Sequence, residues 1–167
     1  MLEIQTNTWS QMQDVPGVYF RTLTSHEDAR GSLIELERSD DRPFSHTAMM
    51  SYISWTNPGS IRGPHEHRHQ TDLFSFFSGD GVFYLWENRG EKYPLYGLKQ
   101  PTRICIDDFS SLTIVVPPGI VHGYRCVSER LGCVNMPDEL YRGRGRNQPV
   151  DEIRHEDDPD SLFKISN

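Results

Sequence analysis

The sequence predicts an all-β fold, an antiparallel barrel with short helical pieces near its termini. Three observations carry that expectation. Short segments alternate apolar and polar residues with period two; clusters of Gly, Pro, Asp and Ser separate them; and thirteen glycines and eleven prolines in 167 residues punctuate the chain too often for long helices. Ser32–Glu37 and Met49–Trp55 alternate in this way. Leu73–Phe77 is an apolar strand that ends at Ser78-Gly79-Asp80-Gly81, a hairpin turn signal, and Val82–Glu87 follows it directly. Arg103–Ile106, Leu112–Val116, His122–Val127 and Cys133–Met136 complete the series. Helical pieces are expected only near Ser10–Val15 and Pro137–Tyr141. The organisation expected is one domain over residues 1–167, with a barrel core at about 28–137 and an irregular acidic segment at 138–167.

Composition narrows the function classes. The hydrophobic fraction is 35%, low but enough for a core when 11% of residues are aromatic. A net charge of −7 makes nucleic acid a poor partner, although a local basic pocket for phosphate is compatible with it. No apolar run is long enough to span a bilayer, and the first residues lack the basic and apolar regions of a signal peptide. Cys105, Cys126 and Cys133 form no C-x-x-C pair and are odd in number, so they read as reduced thiols in a cytoplasmic protein. Arg142-Gly-Arg-Gly-Arg146 reads as a basic loop. Asp151–Asp160, taken alone, reads as a solvated acidic tail.

The chemistry concentrates in residues 59–79. Gly59 is followed after five residues by His65-x-His67, after four more by Asp72, and after six more by Gly79. On a strand, His65 and His67 share a face. A second piece, Pro117-x-Gly119-x-x-His122, puts another histidine just beyond a turn. The two pieces together resemble the paired motifs of the cupins, small jelly-roll barrels with a reaction centre in the barrel mouth. If the strands are neighbours, His65, His67, Asp72 and His122 converge, and such a set suits a divalent transition metal such as Fe(II), Mn(II), Ni(II), Co(II) or Zn(II). Asp72 stands where that motif usually has glutamate. His69 is expected in solvent, and His26, His46 and His155 on the surface or locally hydrogen-bonded.

Within the cupins, the chain resembles the dTDP-4-dehydrorhamnose 3,5-epimerases from about Asp28 to Phe163. The resemblance rests on Asp28-Ala-Arg30-Gly31 followed by Glu35, on Arg62-Gly63-Pro64-His65, on Pro118-Gly119-Ile-Val-His122-Gly123-Tyr124, and on Asp157-Asp158-Pro159. It implies that His65 is the base that removes a proton next to a sugar ketone, with Asp158 as its carboxylate partner. It implies Arg30 and Arg62 for the diphosphate and nucleotide, with Tyr52, His122 and Tyr124 completing the substrate-binding set. A homodimer and a nucleotide-sugar or other small polar substrate follow from the same resemblance, and no cofactor is needed. Two departures stand out: Asp72 occupies the position of the family's lysine, and Val134 or Asn135 that of its tyrosine. Three readings therefore stay open, namely an epimerase or isomerase on a nucleotide-linked 4-keto-6-deoxy sugar, a metal-dependent cupin oxygenase or isomerase, and a non-catalytic sugar- or ligand-binding cupin. The first two compete for His65, because a metal ligand is not a free base.

Overall fold

Thirteen strands and no α-helix run through the residues described by the computed structural model, which are 7–90, 100–108 and 111–166. They are β1 (Ser10–Gln11), β2 (Tyr19–Thr22), β3 (Ser25–Asp28), β4 (Gly31–Ile34), β5 (Tyr52–Thr56), β6 (Ile61–Glu66) and β7 (Asp72–Ser78). The chain continues through β8 (Gly81–Glu87), β9 (Thr102–Ile106), β10 (Leu112–Val116), β11 (Ile120–Cys126), β12 (Leu131–Asn135) and β13 (Ile153–Arg154). One sheet has the order β1-β2-β10-β7-β12-β5 and the other β13-β6-β11-β8-β9, and every pairing is antiparallel. This is the all-β jelly roll that the alternation predicts.

The core lies between the two sheets. Phe20, Phe74, Phe76, Leu112 and Ile114 from the larger sheet meet Phe83, Leu85, Ile104, Ile120 and Tyr124 from the smaller one. Full burial of such side chains stabilises by about 1.5–3 kcal/mol each, which offsets the entropy of ordering many short strands. A second cluster of Tyr84, Trp86 and Val121 is covered on its outer face by Phe163 and Ile165. Tyr84 and Trp86 thus pack outside the barrel, under the C-terminal residues, rather than lining its interior.

The expected terminal helices are absent among the described residues. Ser10–Gln11 is a strand, and Met12 and Val15 are buried around a tight turn in which Met12 N–H donates to Val18 O at 2.9 Å and Val18 N–H to Val15 O at 3.2 Å. Pro16 and Gly17 (φ +88°) close that turn, so the apolar spacing reflects a hairpin. At Pro137–Tyr141, Asp138 N–H donates to Thr71 O at 3.1 Å and Thr71 N–H returns to the Asp138 carboxylate at 2.7 Å. These bonds tie the segment to another loop instead of to its own carbonyls. Strands β1, β2 and β13 extend the two sheets beyond the 28–137 stretch on both sides. Strands β3 and β4 form a separate exposed hairpin, so alternation in Ser32–Glu37 does not mark a core-facing strand. No helix of the described residues is long and apolar enough to cross a membrane.

One glycine sets the geometry of the barrel mouth. Strand β6 pairs with β11 as His65↔His122 and Arg62↔Tyr124, so a bulge of one residue lies between. Gly63 (φ +79°) occupies the bulge, and a Cβ there would stand 2.7 Å from His122 O. The bulge seats His65 directly opposite His122, which puts both imidazoles on one face. We predict that Gly63→Ala lowers stability by about 2 kcal/mol or more, from the left-handed backbone and the clash together. Urea denaturation measures it, and an unchanged midpoint would contradict the account.

Candidate functional site

Four strands deliver the site. Strand β6 and its end supply His65 and His67, β11 supplies His122, β7 begins with Asp72, and β12 ends with Asn135. The ring centroids of His65 lie 4.6 Å from His122 and 5.4 Å from His67. One ligand atom from each of His65, His67, Asp72 and His122 lies within 4.8 Å of the others. Phe74 and Phe83 form the floor, with ring centroids 5.4 and 6.1 Å from His122.

Asp72 is the pivot, at 1% exposure. Its Oδ1 accepts from Gln70 Nε2 at 3.0 Å and from Asn135 Nδ2 at 2.8 Å. Its Oδ2 faces His67 Nε2 at 3.0 Å and His122 Nε2 at 3.4 Å. The other ring nitrogens are tethered: Nδ1 of His122 lies 2.9 Å from Ile120 O, and Nδ1 of His67 binds Asp151 O. Each tether turns Nε2 inward, as a backbone carbonyl commonly does for a working imidazole.

Burial alone would raise the Asp72 pKa, but His122 and His67 hold it well below the usual carboxylate range. Burial also works against a charged His67, yet hydrogen bonding and attraction from Asp72, with help from Asp151, carry it up to about 9. His65 goes the other way. Burial, then the neighbouring His122 and His67, push it well below the ordinary imidazole value. One end of the barrel therefore holds a neutral imidazole beside a protonated one.

The C-terminal segment completes this arrangement. Strand β13 pairs with β6, with Arg154 opposite His65 and Ile153 opposite Glu66. The Asp151 carboxylate accepts the N–H groups of Arg68, His69 and Gln70 at 3.1, 2.8 and 2.9 Å, which fixes the turn carrying His67. Glu152 Oε1 lies 3.5 Å from His65 Nδ1, and Glu156 belongs to the same cluster. On the opposite face of β6, Glu66 accepts from Asn88 at 2.7 Å and sits 2.9 Å from His155 Nε2. A segment that reads as a solvated acidic tail is thus a strand with structural and site contacts.

The sequence-predicted residues divide clearly. His65, His67, Asp72 and His122 come together. Tyr52 joins them at one remove, since its hydroxyl accepts from Asn135 Nδ2 at 2.9 Å, and its pKa is pushed up to about 12, chiefly by burial. Tyr124 lies beneath, in the aromatic core, its hydroxyl 3.2 Å from Ser54 Oγ. Arg62 binds Thr56 Oγ1 and Trp55 O, at 2.9 and 3.0 Å. Arg30 is fully exposed on the β3–β4 turn and pairs with Asp28. Asp158 is exposed and accepts from Asp160 N–H at 2.9 Å; the carboxylate beside His65 is Glu152. His69 is exposed as expected. Sequence reading missed Gln70, Asn135, Asp151 and Glu152. The signal for Asn135 was its place opposite the family's tyrosine.

The sequence pattern of the family described as FdtA: WxcM-like, C-terminal matches residues 16–136. A spore coat polysaccharide biosynthesis protein, SpsL of Bacillus subtilis, is 30% identical over 116 residues, covering 69% of this chain and 74% of that one. The probable low-salt glycan biosynthesis epimerase Agl13 of Haloferax volcanii is 30% identical over 132 residues, covering 78% and 83%. A crystal structure of a dTDP sugar isomerase from Desulfovibrio desulfuricans G20 superposes with a TM-score of 0.75 at 22% identity, covering 93% of this chain and 94% of that one. At that identity the superposition speaks for the shared jelly roll.

The opposed protonation of the two histidines has a consequence for stability. His67 in the fold titrates near 9 against about 6.5 unfolded, so its contribution is complete below about pH 6.5 and is lost as pH rises through 9. In chelator-treated protein, the urea midpoint should fall between pH 6.5 and 9.5, and His67→Gln should flatten that fall. A wild-type midpoint constant across the window would contradict the pairing with Asp72.

Proposed function

The chain belongs to the WxcM-like, C-terminal (FdtA) family, and from that premise we propose that it is an isomerase or epimerase acting on a nucleotide-linked 4-keto-6-deoxy sugar or a related keto sugar. The observation that carries this reading is the pair of His65 and His67 rings 5.4 Å apart, with His67 Nε2 3.0 Å from buried Asp72 Oδ2; burial and the neighbouring imidazoles lower the His65 pKa, and Asp72, against burial, raises that of His67. A C–H next to a carbonyl is a weak acid, and its removal needs a free base together with a donor for the oxygen that gains charge. His65 takes the proton from the carbon beside the ketone. The electron pair of that C–H bond moves to form the enolate, and the positive charge of the His67 ring, whose two nitrogens are held by Asp151 O and Asp72 Oδ2, stabilises its oxygen through space. Return of the proton to a carbon of the enolate completes an isomerisation or an epimerisation, with no net gain or loss of atoms. Glu152 stands where it can steady His65 once that ring is charged.

This account also explains Asp72. An anion at the position of the family's lysine reverses the charge expected near an enolate. Here the anion holds a cation next to itself, so the positive charge resides on the His67 imidazole. A homodimer belongs to the same reading, because edge strand β5 has one side unpaired among the described residues and exposes Ile53 and Trp55 on one face.

A second reading rests on a specific observation. Among the described residues, His122 Nε2 and His65 Nδ1 are buried without a hydrogen-bond partner, Asp72 Oδ2 meets no donor besides the imidazoles, and the separations of 3.0 and 3.4 Å around it match the edges of a coordination polyhedron. Bonds of about 2.1 Å in a tetrahedron give edges of about 3.4 Å. His65, His67, Asp72 and His122 would hold a divalent transition metal, which would supply a Lewis acid for a carbonyl or enolate oxygen.

Incubation of the protein with a dTDP-linked 4-keto-6-deoxy sugar in deuterium oxide, followed by mass spectrometry, tests both. The epimerase reading predicts deuterium uptake that persists in chelator. It predicts loss of uptake in His65→Asn and a fall of about 10²–10⁴-fold in His67→Asn. Absence of wild-type uptake would refute it. Uptake that vanishes in chelator and returns with one metal ion would move the assignment to the metal reading.

A further inference from the structure

The basic motif Arg142-Gly-Arg-Gly-Arg146 has no part in the site described so far, yet both ends of its loop are tied to the turn between His67 and Asp72. Both ends of its loop are anchored to the same short turn, residues 67–72. At the first end, Asp138 exchanges two hydrogen bonds with Thr71. At the second, Asp151 receives the N–H groups of Arg68, His69 and Gln70 and binds His67 through its carbonyl. The excursion between these anchors is folded back on itself, because Gln148 N–H donates to Arg142 O at 2.9 Å and Gly143 N–H to Leu140 O at 2.8 Å. Arg142 stands four positions after the first anchor and Arg146 five positions before the second. Chain geometry then keeps the backbone of Arg142 within about 14 Å of the turn.

The charges are uncommitted. Arg142, Arg144 and Arg146 are exposed, and among the described residues none of them makes an ion pair, nor does exposed Arg68 on the turn itself. Elsewhere the arginines are engaged: Arg30 with Asp28, Arg62 with Thr56 and Trp55, and Arg154 with Glu152, Glu156 and Asp157. The acids at the loop's feet, Asp138 and Asp151, are satisfied by backbone donors. In a chain with net charge −7, these four guanidiniums stand on the loop and turn without an acidic partner and are free to take an anion.

We propose that this loop, with Arg68, is the seat of the substrate's diphosphate. The inference rests on the nucleotide-linked substrate reading and assigns the anion contact to Arg142, Arg144 and Arg146 in place of Arg30. A diphosphate bridging a sugar and a nucleoside carries two negative charges, and forked guanidiniums match its oxygens better than any other side chain. With the keto sugar at His65 and His67, the phosphates fall at the rim where the loop stands.

Calorimetric titration with thymidine diphosphate and with inorganic pyrophosphate tests it, using wild type, the triple variant Arg142→Gln/Arg144→Gln/Arg146→Gln, and Arg30→Gln. The expected result is binding to wild type that weakens tenfold or more in the triple variant for both probes, with a shallower salt dependence, while Arg30→Gln binds as wild type does. Equal binding by wild type and the triple variant overturns the loop assignment and leaves the nucleotide-linked reading intact. Failure of wild type to bind either probe overturns both.

Discussion

Asp72 is a carboxylate in the interior of a barrel, and an unpaired anion there would cost more than the 5–15 kcal/mol or so by which a domain is stable. Four side chains face it, from three parts of the fold. Gln70 and His67 reach it from the preceding turn, Asn135 from the neighbouring strand β12 and His122 from β11. The two sheets of the jelly roll are thereby linked at the mouth by polar contacts as well as by the phenylalanine core. Requirements then spread outward. His122 and His67 must turn Nε2 inward, so their Nδ1 atoms need carbonyls, which Ile120 and Asp151 provide. Asn135 has a second amide hydrogen to place, and the Tyr52 hydroxyl accepts it.

The same constraint gives the C-terminal segment its importance. The family match ends at residue 136, before Asp151 and Glu152, yet the turn that bears His67 is held by the Asp151 carboxylate and carbonyl. Three backbone N–H groups converging on one carboxylate make a rigid support, and a support of that kind keeps an imidazole within a few tenths of an ångström of its working place. Segment 151–156 is therefore part of the site's scaffold, joined edgewise to β6 and clamped from outside by Phe163 against Trp86.

Much of this was legible in the sequence. Short apolar or alternating runs bounded by turn residues marked nearly every core strand, the central ones β7, β8, β10 and β11 being buried on both faces, and the spacing His65-x-His67, Asp72, His122 led to four residues that do converge. The limits have physical causes. Met12 and Val15 recur at helical spacing, but Pro16 and Gly17 turn the chain into a hairpin that buries both. The acidic run at 151–160 has the composition of a solvated tail; its order comes from non-local bonds to residues 65–70, which local composition does not encode. Glu152 was missed for that reason, with Asp158 taken in its place from motif position. Asn135 looked like a vacancy left by a tyrosine, and its bond to Asp72 emerged only from the β12–β7 pairing.

The central claim is that Asp72 splits two adjacent histidines into a neutral base and a neighbouring cation. The most direct measurement is the ¹⁵N spectrum of histidine ring nitrogens in metal-free protein at pH 7.5, assigned with His65→Gln and His67→Gln. The account predicts an imidazolium at His67 and a neutral ring at His65. A neutral His67, or charge shared equally between the two, would contradict it.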